Sequence, residues 1–143
     1  MVTLAFLIVV GATGWMIFRP SPRRDAAAAQ AWASFHQYAT HHGWSLLYVQ
    51  NVYQHARRGS KAIVSIYGDA AGASRDAWFW GEQVQAGSVV AVSLNQGWGP
   101  HTNRDDVLYI GNGTPGVYAT FGARELVKVQ RHFHRQSTVG GTA

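Results

Sequence analysis

The sequence predicts an α+β fold in which an N-terminal transmembrane helix and a second helix precede a small antiparallel domain. That domain is expected to be a barrel-like or curled sheet of about five strands, closed by a C-terminal helix. Three observations predict it. Residues 2–18 carry no charge, sixteen glycines suggest frequent tight turns, and short β-branched or aromatic segments recur between residues 44 and 121.

The first element is the uncharged segment, residues 1–18, which we interpret as a single membrane anchor because roughly 17 apolar residues are the working minimum for a span. Arg19, Arg23 and Arg24 form its membrane flank. Positive charge on the C-terminal side predicts a cytoplasmic domain, although the extracytoplasmic side stays open. A cleaved signal peptide and a buried core helix are the alternatives.

A proline-containing joint and a second helix occupy residues 19–43. Proline fixes φ and disfavours helix in the residue before it, so residues 20–24 are expected to form a stiff joint. Asp25 is a suitable N-cap for an alanine-rich helix over residues 26–42. Trp32 and Phe35 are three residues apart, which predicts that they share one helix face.

The β-rich domain is assigned to residues 44–135, with turns at near-regular intervals. Residues 50–58 mix apolar and polar side chains, and we expect a short helical turn there. Helical spacing over residues 123–134 predicts the closing helix. Residues 136–143 are polar and rich in glycine, and we expect them to form a disordered tail. The predicted strands are residues 44–49, 61–67, 77–80, 88–94, 106–110 and 117–121, the last two forming a hairpin.

The charge and the cysteine content of the chain exclude some classes of partner and site. The net charge of +5 comes from 12 basic and 7 acidic residues, and three of the arginines belong to the membrane flank. The remainder is only mildly basic, so nucleic acid is an unlikely partner. The absence of cysteine excludes disulfides and thiolate metal sites.

Histidine spacing does not predict a metal site. His36, His41 and His42 diverge on one predicted helix, and His132 and His134 diverge on the other. We interpret the seven histidines as surface residues, with no metal or cofactor. Ser93, His101, Asp105 and Asp106 contain the ingredients of an acyl-transfer triad, but a triad is defined by mutual placement and no nucleophile elbow is present. A hydrolase centred on His101 is therefore only an alternative, and no catalytic residue is assigned.

The loop over residues 97–104 is the most unusual in composition. Trp98 is flanked by glycines and accompanied by His101, Asn103 and Arg104, a combination that suits a stacking platform for a glycan or nucleotide. The competing interpretation is that Trp98 plugs one end of the barrel. Residues 78–80 are three consecutive aromatics, and Phe79 is expected to face outward as a partner contact if both tryptophans face the core.

The last predicted helix carries a basic stripe, which we define as Arg124, Lys128, Arg131 and Arg135. Their spacings of four, three and four place them on one helix face. The stripe is either a solvated face or a contact for anionic lipid headgroups or an acidic partner.

These features together predict a single-pass, membrane-anchored interaction protein rather than an enzyme. We expect an accessory or scaffolding subunit of a membrane-associated assembly, with a protein partner. The alternatives are a glycan- or nucleotide-binding module built on the Trp98 loop, and the His101 hydrolase.

Overall fold

The computed structural model describes residues 20–69, 72–93, 107–111 and 116–141. Within these ranges the chain forms two helices and six strands, an α+β fold with one curled sheet. The elements are α1 (Pro22–His41), β1 (Ser45–Ala56), β2 (Gly59–Ile66), β3 (Arg75–Trp80), β4 (Val89–Val92), β5 (Val107–Ile110), β6 (Val117–Phe121) and α2 (Ala123–Val139).

The sheet is mixed and has the strand order β5-β3-β2-β1-β4-β6. β3 and β5 pair in parallel, while the other four neighbouring pairs are antiparallel. The predicted hairpin of the last two strands is wrong, because β5 and β6 lie at opposite edges of the sheet. β4 and residues 46–49 of β1 are apolar on both faces and lie in the interior of the sheet. The chain crosses the sheet between β4 and β5, because these strands lie on opposite sides of β1.

β1 continues to Ala56, where a short helical turn was expected over residues 50–58. The register of β1 against β2 shifts at Gln50 and again at Tyr53. The side chains at both shifts form hydrogen bonds near β3: Ser74 Oγ donates to Gln50 Oε1 at 2.7 Å, and Tyr53 Oη donates to Asp76 Oδ1 at 2.6 Å. Bulges interrupt the two-residue alternation and bend a strand, which explains both the missed strand and the curl.

An inner core fills the concave face of the sheet. It includes Leu47 and Val49 of β1, Phe79 of β3 and Ile110 of β5, all at most 2% exposed. Because successive side chains alternate between faces, one residue in two along each strand reaches this core. Curling brings these rows together, so the apolar side chains cover one another.

An outer core lies between the opposite face and the two helices. Trp32 of α1 is its centre, with ring centroids 4.8 Å from Tyr67 and 5.1 Å from Phe121 in edge-to-face arrangements. Phe35 packs beside Trp32, so the predicted shared face of α1 is confirmed. Desolvation raises the pKa of the Tyr67 phenol. Leu126 of α2 completes the core at 2% exposure.

The C-terminal helix is longer than expected. α2 runs to Val139 and overlaps the segment predicted as a disordered tail. Ser137 Oγ and Thr138 Oγ1 both donate to the His134 carbonyl, at 2.8 and 3.2 Å. Polar side chains of this kind bind backbone carbonyls one turn back, so a polar composition did not prevent helix formation here.

No helix among the described residues is both long enough and apolar enough to cross a membrane. That finding contradicts the prediction of a single-pass membrane protein and of a membrane localisation, which we withdraw. α1 fails as a span because Arg23, Arg24 and Asp25 occupy its first turn. The predicted anchor, residues 1–18, lies outside the described residues.

We predict that Gly59→Ala is much more destabilising than Gly68→Ala. Both glycines have positive φ, +143° and +85°, so each alanine costs about 1–2 kcal/mol in backbone strain. A Cβ on Gly59 would also lie 1.9 Å from the Phe79 carbonyl oxygen, whereas one on Gly68 has no heavy atom within 4 Å. Urea unfolding midpoints measure the difference, and equal midpoints would contradict the packing of β2 on β3.

Candidate functional site

Several predicted site residues lie outside the described residues. Trp98, His101, Asn103 and Arg104 fall in residues 94–106, and Arg19 precedes residue 20. The ligand-platform and hydrolase hypotheses therefore stay predictions. Among the described residues, no group of three or more histidine or acidic side chains could hold a metal ion.

The aromatic strand β3 has the reverse of the expected orientation. Phe79 is 1% exposed and lies in the inner core, while Trp78 and Trp80 lie on the opposite face. The prediction that Phe79 faces outward assumed that both tryptophans of β3 face the core. Ala77 and Phe79 alternate with the two tryptophans along β3, and both are buried in the inner core.

A groove opens where the β1–β2 hairpin meets the end of β3, and we call it the hairpin groove. Its volume is about 230 Å³. It was not predicted from the sequence, because its walls come from three strands that the bulged β1 brings together. The lining residues are Gln54, Ala56, Arg58, Gly59, Ser60, Lys61, Trp78, Phe79 and Trp80.

Hydrogen bonds hold the backbone of the groove in place. Gln83 Nε2 donates to the carbonyls of Ala56 and Gly59, at 2.7 and 3.1 Å. Gln83 Oε1 accepts from His55 Nδ1 at 3.0 Å, which places the proton on that nitrogen. Gly81 N–H donates to the Arg58 carbonyl at 2.8 Å. The hairpin end is thus tied to the segment after β3, and the groove is preformed.

Trp78 is the most informative side chain of the groove. Lys61 Nζ lies 4.1 Å from the centre of its ring, and Tyr109 packs edge-on at 5.3 Å. The indole nitrogen Nε1 is buried and has no hydrogen-bond acceptor among the described residues. Buried polar groups are ordinarily paired, so this N–H would gain a hydrogen bond from an acceptor that reached it.

Cations surround the mouth of the groove. Arg57 and Arg58 form the turn between β1 and β2, and both are exposed. Lys61 follows on β2, directly opposite Trp78 in the β2–β3 register. Trp80 stands at the outer rim with 40% of its surface exposed. An exposed tryptophan among cations is a composition typical of binding surfaces.

The basic stripe is divided between structural and exposed side chains. Arg131 Nη2 donates to Asp25 Oδ1 at 3.1 Å, and Arg135 Nη1 forms an ion pair with Oδ2 at 3.0 Å without hydrogen-bond geometry. Asp25 was expected to be an N-cap, but Ser21 takes that position and Asp25 is fully buried in the first turn of α1. Two of the four predicted contact residues therefore join α2 to α1.

The other predicted cations lie on the surfaces of the helices. The Lys128 side chain is 30% exposed and pairs with Glu125 on α2, and Arg124 is exposed near the start of that helix. Arg23 and Arg24 lie on the surface of the first turn of α1. These side chains do not converge with the hairpin groove on one site in the described part of the chain. Contact of the stripe with anionic lipid stays a prediction.

No family model, no curated protein and no solved structure matches the chain. The function is therefore inferred from the chemistry of the groove.

We predict that removing Asp25 lowers the free energy of unfolding less than removing both of its arginine partners. Asp25→Ala leaves two arginines whose side chains are 40% and 42% exposed, so water solvates them and unfolding free energy falls by about 1–3 kcal/mol. Arg131→Ala combined with Arg135→Ala leaves the buried carboxylate unpaired and costs about 3–5 kcal/mol.

Urea unfolding of the two variants tests this order. The matched control is Arg124→Ala combined with Lys128→Ala, which removes two other cations from the same helix, one of them paired with the exposed Glu125, and is expected to cost less than about 1 kcal/mol. A double arginine variant no less stable than Asp25→Ala would show that the carboxylate does not depend on this pairing.

Proposed function

We propose that this chain is an interaction domain that binds a segment of a protein partner in the hairpin groove. The segment carries an apolar side chain next to an acidic residue. The observation that carries the proposal is the composition of the groove: tryptophan walls, a cationic rim and a buried indole N–H that no described residue accepts.

Size favours a side chain of a protein over a free small molecule. Pockets for small molecules usually measure about 300–1,000 Å³, and the hairpin groove, at about 230 Å³, falls below that range. A protein segment needs to bury only one anchor in such a space, while the rest of the segment lies across the rim. Binding energy at protein interfaces is concentrated in a few such anchors, in which tryptophan and arginine are enriched.

Charge favours an acidic partner. Arg57, Arg58 and Lys61 follow one another along the hairpin, and Glu82 is the exposed acid on the facing segment. A carboxylate beside the apolar anchor would gain charge-assisted hydrogen bonds at this rim. A shift of the Trp78 ring on binding would let its buried indole N–H donate to the same segment.

The preformed backbone supports the same conclusion. Ordering a flexible loop would reduce affinity, and a site whose backbone is already held avoids that cost. Ser60 shows how the groove floor is held: its hydroxyl donates to the Glu82 carbonyl at 2.9 Å and accepts from the Val84 N–H at 3.3 Å. A domain that binds a segment of another protein in this way would act as an accessory or scaffolding subunit, and we include that role in the proposal.

We predict that peptides selected on the full chain from a displayed random library share an apolar residue beside Asp or Glu. Trp80→Ala and Lys61→Glu should each weaken a selected peptide at least about tenfold, or 1.4 kcal/mol. Anisotropy of a labelled peptide measures the affinity. Added salt should weaken binding, because ions screen the contacts of an exposed rim.

Lys128→Glu is the matched control, since it makes the same substitution at a surface lysine remote from the groove and should leave the affinity unchanged. Indole N–H signals in an NMR spectrum supply a second readout. Trp78→Phe identifies the Trp78 signal, which should shift downfield when an acceptor binds. Failure to enrich peptides, or equal affinity for Lys61→Glu, would overturn the proposal.

A further inference from the structure

A row of side chains crosses four strands at the hairpin groove. Lys61 of β2 lies directly opposite Gln54 of β1 on one side and Trp78 of β3 on the other. Trp78 in turn lies opposite Tyr109 of β5. Residues directly opposite each other on neighbouring strands share a face of the sheet and are close enough to touch. The register of the sheet therefore sets the Lys61 side chain beside the Trp78 ring, and both line the groove.

The Trp78 ring is held by its neighbours on both sides. Tyr109 is buried and packs edge-on against the ring, with centroids 5.3 Å apart, while the Lys61 ammonium lies 4.1 Å from the ring centre. A cation within about 6 Å of an aromatic ring centre is attracted to the ring face, and tryptophan attracts it most strongly. The indole thus fixes the end of a lysine side chain whose aliphatic stem is otherwise flexible.

Lys61 has no acidic partner in the described part of the chain. None of the ion pairs formed there includes it. Asp76, on the same face of β3 as Trp78, accepts a hydrogen bond from Tyr53 Oη at 2.6 Å instead. The ammonium is therefore oriented by an aromatic ring rather than neutralised by a carboxylate, and it can pair with an acid that enters the groove from outside.

We propose that Trp78 is a positioning residue that makes Lys61 the carboxylate-selecting group of the hairpin groove, an inference that rests on the proposed function. Because the ring orders the lysine stem before binding, less conformational entropy is lost when a carboxylate meets the ammonium. Arg57 and Arg58 are exposed, and no aromatic ring of the described residues holds either of them. They attract an acidic segment, but Lys61 decides where its carboxylate binds.

Matched peptides on the full chain test this assignment. Each peptide selected on the groove is compared with the same peptide in which the corresponding amide replaces its Asp or Glu, and the ratio of the two affinities measures carboxylate selectivity. We expect the unaltered chain to prefer the acid at least about tenfold. Lys61→Met and Trp78→Leu should each lower that preference at least about threefold, because one removes the ammonium and the other the ring that holds it. Trp78→Phe should give an intermediate ratio, since phenylalanine attracts a cation less strongly.

Trp80→Leu is the matched control for the loss of an apolar wall. It removes the other tryptophan of the groove, over whose ring no cation of the described residues lies. It should weaken the acid and the amide peptide equally and leave their ratio unchanged.

The NMR signals of the Lys61 side chain give a readout that needs no peptide. Protons over an aromatic ring resonate upfield, so the Cε protons of Lys61 should be shifted in the free chain and should lose that shift in Trp78→Leu. Failure to select any peptide overturns the proposed function together with this inference. Unshifted Lys61 protons, or bound peptides whose acid preference survives Trp78→Leu, overturn this inference alone.

Discussion

The need to bury both faces of β1 and β4 is the constraint on which the rest of the fold depends. Leu46 and Val89 point to the outer core, while Leu47 and Val90 point to the inner one. The inner side chains are covered by curling the sheet, but the outer ones require a second layer. The pair α1 and α2 supplies that layer, and the buried Asp25 with its two arginines holds the helices together.

The helices cover only part of the outer face of the sheet, and the candidate site lies on the part that they leave uncovered. The outer core draws its sheet residues chiefly from β1, β4 and β6, so the outer face of β2 and β3 carries Lys61, Trp78 and Trp80 instead of helix contacts. Two bulges interrupt β1 on the way to the hairpin and bend the strand. The same geometry that completes the core therefore leaves a preformed groove beside an exposed tryptophan.

The hairpin groove combines aromatic walls with cations. Arg131 and Arg135 illustrate why a charge pattern alone does not identify a surface. Their spacing on α2 predicted an external stripe, yet they reach a carboxylate on α1 that is far away in the sequence and fully buried.

The sequence by itself determined the α+β class, the position of the two described helices and most strands, and the shared face of Trp32 and Phe35. These features depend on spacing between near neighbours, which a sequence displays directly. Only the tertiary structure decided the parallel pairing of β3 with β5, the burial of Phe79, the pairing of Asp25 and the groove between Lys61 and Trp78. Each of these depends on contacts between distant segments, and a β-bulge or a strand crossover changes them without altering the local pattern.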